Sequence, residues 1–205
     1  MTRPATRAQR LILMAEYVLE AGAVPMQQLA DHLQVSRMTA YRDVAELQSS
    51  GVVRLRRGMA VAGTSSFTET NHAFRSSLHV EAKAALCRAA ARWLRSGSTV
   101  MLDDSTTVLD MVPIMAEMAP MTVITHSQSV AAEVAKHPQL RLFVVGGSYR
   151  RSFESCMGPA TVSVLSQVTA DVCLMSATAI QAGVCFHPLE ESAQVKRMMM
   201  AQSDA

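Results

Sequence analysis

Between residues 98 and 177, short apolar runs alternate with helical stretches. "STVMLDD", "MTVITHS", "QLRLFVVGG" and "ADVCLMSA" are interleaved with "VLDMVPIMAEM" and "QSVAAEVAKH". The runs lack the polar alternation of a half-solvated strand, so they read as strands covered on both faces. Strands interleaved with helices join as a parallel sheet. This pattern predicts an α/β domain with a mostly parallel sheet, introduced by an Ala-rich helix from about Leu78 to Leu94. In such sheets ligands bind beyond the carboxyl ends of the strands, where the chain places "DDSTT", "THS" and "GGSYR".

Each of these loops carries groups that suit a phosphorylated or polyhydroxylated small molecule. Asp103 and Asp104 accept from hydroxyls, while Ser105, Thr106 and Thr107 donate hydroxyl and backbone N–H groups at a helix start. Thr125, His126 and Ser127 add further donors. Gly146 and Gly147 allow close backbone approach, and Tyr149 and Arg150 follow, the arginine as an anion partner. Singly, each loop reads equally well as a cap, a structural histidine or a turn. Three in succession on one sheet edge make a pocket.

The first third of the chain reads differently. Arg7 to Ala21 places Leu11, Met14, Val18 and Leu19 on one face of a helix that Gly22 stops. "PMQQLADHL" forms a second short helix with Pro25 in its first turn and Met26, Leu29, Ala30 and Leu33 inward. After a brief turn Ser36 caps a third helix, to about Ser50, and Gly51 ends it. Ala40, Val44 and Leu47 form its buried stripe, leaving Arg37, Met38, Tyr41 and Arg42 outward. Two helices joined by so short a turn make a helix-turn-helix, and "VVRLRRGMAVAG" behind them reads as a two-stranded wing about Gly58. Arg37, Tyr41 and Arg42 are expected at base edges in the major groove. Ser36, Thr39, Arg54, Arg56 and Arg57 are expected on phosphates. The domains are drawn at 1–62 and 78–205, with the Ser- and Thr-rich stretch 63–77 as a linker.

Charge agrees with this division. The net charge of +2 conceals a balance of +3 in residues 1–63 and −1 in the rest, which puts a polyanion partner, double-stranded DNA, on the first side. Cys87, Cys156, Cys173 and Cys185 show no metal-ligand spacing and read as buried thiols, and no cofactor or metal motif is found. Met118, Met121 and "RMMMA" read as core or interface fillers. No run is long and apolar enough for a membrane span and no leader is read, so the expected location is the cytoplasm.

On these residues the chain resembles the DeoR family of bacterial transcriptional regulators. "VSRMTAYRDVAELQSSG" is similar to the family's helix-turn-helix signature, with Tyr41 for the first of two paired arginines and Val44 for a leucine. "DDSTT", "THS" and "GGSYR", followed by Ser155 and Gly158, resemble the loops of its sensor domain, whose fold is like that of ribose-5-phosphate isomerase and the CoA transferases. Ser105 stands where the family has Gly, His126 where it has Asn, and Ala179 where Gly is frequent. The family's next strand and a Ser-Lys-Phe-like segment, whose lysine helps close the effector site, do not follow "EESAQVKRMMMAQSDA". No Glu or Lys is read as replacing that lysine.

The resemblance implies a homodimeric or homotetrameric repressor of a carbohydrate-metabolism operon, released from its operator by a phosphorylated sugar or related metabolite. Two alternatives stand beside it. One is a DNA-binding regulator without ligand response. The other is a sugar-phosphate isomerase-like enzyme with Asp103 or Asp104 as base and His126 as donor; the expectation is no enzyme.

Overall fold

In the computed structural model, residues 7–49, 51–63, 75–76 and 79–205 are described. The chain divides into two compact units, Met1–Leu78 and His79–Ala205. Most of the expected linker, residues 64–74 and 77, lies outside the described residues.

The N-terminal unit comprises α1 (Arg7–Ala21), β1 (Ala23–Pro25), α2 (Met26–His32), α3 (Arg37–Ser49), β2 (Val53–Arg56) and β3 (Met59–Ala62). Its core joins Met14, Ala15 and Val18 of α1, Met26, Leu29 and Ala30 of α2, and Ala40, Val44 and Leu47 of α3 with Val53 and Ala60 of the sheet. The stripe on α1 runs through Met14, Ala15 and Val18, one turn apart, and leaves Leu19 51% exposed rather than inward as expected. The Ser36 hydroxyl accepts from the Thr39 N–H at 3.1 Å, the N-cap that starts α3. At its other end Gly51 N donates to Gln48 O and Val52 N to Leu47 O. With Gly51 at φ +74° this is a Schellman motif, which glycine adopts without a Cβ clash.

The wing has three strands, not two. β2 and β3 form a hairpin in which Arg56 faces Met59, and β1 adds to the far side of β3, with Ala23 opposite Val61. Pro25 therefore ends a strand and stands just before α2, not inside its first turn. The hairpin loop is Arg57–Gly58, both at positive φ, 49° and 76°. That is the two-residue turn whose twist matches the strands it joins.

The C-terminal unit begins with α4 (Val80–Ala90), which runs into a 3-10 turn at Ala91–Trp93. The helix is thus shorter than the sequence suggested, and His79 before it is left-handed at φ 50°. Four parallel strands follow: β4 (Thr99–Leu102), β5 (Met121–Thr125), β6 (Leu140–Val144) and β9 (Val172–Leu174), in the order β6-β5-β4-β9. Between them come α5 (Met111–Glu117), α6 (Gln128–Val134), the hairpin of β7 (Ser148–Arg150) and β8 (Ser155–Met157), and α7 (Pro159–Leu165). A second hairpin, β10 (Ala179–Gln181) and β11 (Val184–Phe186), and α8 (Glu190–Ala201) follow.

Side chains alternate across the sheet. Val100, Leu102 and Val123 face Cys87, Met111, Val112, Met115 and Val130 on one side. Met101 and Ile124 face Phe153, Met157, Leu165, Val195 and Met199 on the other. The result is a three-layer α/β/α unit. The chain runs from β4 outward through β5 and β6, then crosses to β9 on the opposite flank of β4. The crevice at the carboxyl ends of β4 and β9 is therefore the topological switch point, where open α/β sheets hold ligands.

Two expectations about side chains change. Cys87 is buried, but Cys185 is exposed on β11 and Cys156 and Cys173 are half-buried. Met121 and Met199 are core residues, whereas Met200 is 51% exposed. Among the described residues no helix is long and apolar enough to cross a membrane.

Candidate functional site

In the N-terminal unit the exposed start of α3 presents Arg37, Met38 and Arg42. Arg37 lies over the Tyr41 ring, 5.7 Å from its centroid, and Tyr41 itself is half-buried against the core. Its ring thereby braces a guanidinium at the helix N-terminus. Thr39 is held by the Ser36 cap, their hydroxyls 2.9 Å apart. On β2 the period of two sends Arg54 and Arg56 to one face, both exposed, with Arg57 exposed at the hairpin tip. Leu55 N donates to Gln48 Oε1 at 3.1 Å, tying the wing to α3.

Two further cations of this unit are engaged elsewhere. Arg10 donates to both oxygens of Asp43, from Nε at 2.5 Å and Nη2 at 3.2 Å. Asp43 is 1% exposed, so the fork joins α1 to α3. The hydrogen bond to Asp43 raises the Arg10 pKa against the effect of burial. Arg7 pairs with Glu46 at 2.5 Å on the surface. Both arginines count toward the basic charge of this unit, and α3 supplies the partners of both.

In the C-terminal unit the switch-point crevice holds a buried charged cluster. Asp103 and Asp104 follow β4 and are 0% and 4% exposed. Asp103 Oδ1 accepts from Ser105 N at 2.8 Å. Its Oδ2 accepts from Ser176 N at 2.8 Å, Ser176 Oγ at 3.3 Å and Lys196 Nζ at 2.5 Å. Lys196 reaches Asp104 Oδ1 at 3.4 Å, and Asp104 Oδ2 accepts from Ser155 Oγ at 3.1 Å. Burial disfavours the Lys196 ammonium, but the charges of the two carboxylates and their hydrogen bonds outweigh it and hold its pKa above the usual value. The Cys173 thiol nearby is pushed up to about 12, first by burial and then by the charge of Asp103.

This cluster corrects the expectation that no lysine pairs with these carboxylates. Lys196 comes from α8, more than ninety residues away in sequence, and "VKR" in an amphipathic helix gives no local sign of it. Ser176 was missed for the same reason. Asp103, expected to meet hydroxyls of a ligand, directs its oxygens to its own protein, and Ser105 behaves alike: its Oγ accepts from Thr107 N at 3.1 Å.

The "DDSTT" and "THS" loops do come together. Thr125, His126 and Ser127 are all buried. Thr125 Oγ1 accepts from Ser127 N, Ser127 Oγ caps α6 by accepting from Val130 N, and His126 Nδ1 lies 2.9 Å from Cys156 O on β8. The "GGSYR" loop is less enclosed. Gly146, Gly147, Tyr149 and Arg150 are exposed, and Arg150 makes a fork to Glu191 at 2.6–3.0 Å. Arg150 nevertheless stands across the hairpin from Ser155, the partner of Asp104. Gly147 is required by packing, because a Cβ there would lie 1.9 Å from Thr161 Oγ1 and 2.9 Å from Met157 O.

Beside the cluster is a cavity of about 270 Å³, with Ser176, Lys196, Arg197, His187 and Phe186 among its walls. Cationic and hydroxyl groups converge with an apolar side, as small-molecule sites require.

Comparison with known proteins agrees with both units. Residues 10–66 match the DeoR-like helix-turn-helix domain and residues 78–205 the DeoR C terminal sensor domain. The HTH-type transcriptional regulator YgbI of Escherichia coli is 29% identical over 195 residues, covering 95% of this chain and 76% of the relative. The HTH-type transcriptional repressor GlcR of Bacillus subtilis is 27% identical over 195 residues, at 95% and 75% coverage. The L-fucose operon activator of Escherichia coli is 24% identical over 200 residues, at 96% and 82%. Together the two matches cover both units, and the chain belongs to the DeoR family of transcriptional regulators.

Proposed function

We propose that the protein represses a carbohydrate-metabolism operon in the cytoplasm and leaves its operator when a phosphorylated sugar or related metabolite occupies the crevice. It catalyses no reaction in this role. The division of labour follows 1–62 for DNA, 63–77 as linker and 78–205 for the effector. One observation carries the reading: the buried Asp103–Lys196–Asp104 cluster at the switch point. Buried ion pairs add little net stability compared with apolar packing, so a cluster placed where ligands bind is most simply explained by recognition. In this reading Ser105, Thr106, Thr107, Thr125, His126, Ser127, Gly146, Gly147, Tyr149 and Arg150 contact the effector. Among the relatives, the name of a repressor supports repression and that of an L-fucose operon activator supports the carbohydrate setting.

On the DNA side Arg37, Tyr41 and Arg42 read base edges, while Ser36, Thr39, Arg54, Arg56 and Arg57 hold phosphates. Two or four copies place recognition helices on half-sites one helical turn apart or a multiple of it. The effector acts only through unequal affinity for the DNA-bound and free arrangements.

The test is thermal shift of the protein against sugar phosphates and free sugars, followed by the effect of any hit on binding to the DNA upstream of its own gene. A ligand of the native state raises the melting temperature. A hit that also releases DNA supports the proposal; DNA binding with no hit leaves the regulator without a sugar effector and refutes it.

A further inference from the structure

His126 is 2% exposed, and its Nε2 has no hydrogen-bond partner. Among the described residues of the C-terminal unit it is the one buried side-chain nitrogen or oxygen in that state. Thr125 Oγ1 and Ser127 Oγ accept backbone N–H groups, and neither hydroxyl donates to Nε2. On the other edge of the ring, Nδ1 lies 2.9 Å from the Cys156 carbonyl. A carbonyl oxygen only accepts, so Nδ1 carries the proton, and in the neutral ring Nε2 is left with a lone pair and no hydrogen.

Met101 pairs with Ile124 and Leu102 with Thr125, so Asp103 and His126 are the residues that directly follow the paired ends of β4 and β5. Both share the parity of Met101 and Ile124, on the sheet face covered by Val195 and Met199 of α8, the helix that supplies Lys196. The oxygens of Asp103 are themselves acceptors with their own donors. With no donor of its own chain on Nε2, that lone pair is open to a donor from outside.

We propose that His126 is the specificity-determining residue of the crevice: its bare Nε2 accepts a hydrogen bond from a hydroxyl of the effector, so the hydroxyl-bearing end of the ligand lies against β5. A fully ionised phosphate has no hydrogen to offer and belongs at the other end of the ligand. This inference rests on the effector reading proposed above.

The experiment has two arms. The first needs no ligand: imidazole nitrogens of the ¹⁵N-histidine-labelled full chain are observed by long-range proton–nitrogen correlation, with His126→Asn for assignment. A proton on Nδ1 and none on Nε2 is expected; a proton on Nε2 in the neutral ring overturns the inference. In the second arm, D-ribose 5-phosphate, D-glucose 6-phosphate, D-fructose 6-phosphate and their monodeoxy analogues are titrated calorimetrically against wild type, His126→Asn and His126→Gln. Asparagine sets an N–H where Nδ1 lies and keeps the Cys156 contact, whereas glutamine reaches the place of Nε2. For a sugar that binds, one deoxy analogue is expected to lose about tenfold in affinity on wild type. That loss should vanish in His126→Asn and return at least in part in His126→Gln. Undiminished discrimination in a folded His126→Asn protein overturns the inference. If no sugar phosphate binds wild type, the effector reading fails and the nitrogen spectrum alone decides the state of His126.

Discussion

Replacing Lys196 by Met keeps the length of the side chain and removes its charge from a site where the carboxylates of Asp103 and Asp104 are 0% and 5% exposed. Removing one partner of a buried ion pair generally costs about 3–5 kcal/mol, because the remaining charge keeps its desolvation penalty without its counter-charge. Asp103 still accepts from Ser105 N, Ser176 N and Ser176 Oγ, and Asp104 from Ser155 Oγ. The retained donors set the expected loss at the lower end, about 3 kcal/mol. For a unit of the size of His79–Ala205, that corresponds to a fall of roughly 10–15 °C in melting temperature by scanning calorimetry. The double variant Lys196→Met/Asp103→Asn removes one of the two stranded charges and should recover roughly half of the loss. The alkaline limb supplies a second check. With its folded pKa raised above 10.5, Lys196 contributes its full stability below 10.5 and loses it as pH climbs through the folded value. The stability difference between wild type and Lys196→Met should therefore shrink only above that pH. A Lys196→Met protein within about 1 kcal/mol of wild type at pH 7 would refute a buried, mutually dependent cluster.

Four other outcomes are expected. Arg42→Ala should weaken operator binding by about 1–3 kcal/mol in a salt-controlled titration if Arg42 reads a guanine; unchanged affinity removes it from the base-reading set. Arg56→Ala should weaken all DNA sequences alike and reduce the salt slope by about one unit, so a sequence-selective loss would contradict its phosphate role. Gly147→Ala drives a Cβ into Thr161 Oγ1 and the Met157 carbonyl and should cost about 1–3 kcal/mol in denaturant unfolding. Under iodoacetamide at pH 8, peptide mass mapping should find Cys185 alkylated first and Cys173 far behind, since Cys185 is exposed while the pKa of the Cys173 thiol is pushed up to about 12.

The helices of the N-terminal unit and the four parallel strands were legible in the sequence because each is written in local periodicity and caps. Ser36 and Gly51 mark the ends of α3 in the sequence and in the structure alike. The third strand of the wing was not legible: Ala23–Pro25 is too short to carry a period, and it becomes a strand only because β3 offers an edge. The loops "DDSTT" and "THS" were legible as polar punctuation after apolar runs. What they touch was not, since the partners of Asp103 and Asp104 stand on elements that announce only packing. Val195 and Met199 declare α8 a core helix, and Lys196 between them looks like an ordinary surface charge until the helix is docked.

The bonds of that cluster also bear on how the unit folds. Asp104 is joined to Ser155 across 51 residues, Asp103 to Ser176 across 73 and to Lys196 across 93. Closing loops of that length is entropically slow relative to forming local helices and turns. The carboxylates after β4 thus emerge early in synthesis and wait for α8 before they are neutralised. Charge left uncompensated in partly folded chains disfavours premature burial of this edge until α8 has docked and brought Lys196 to it.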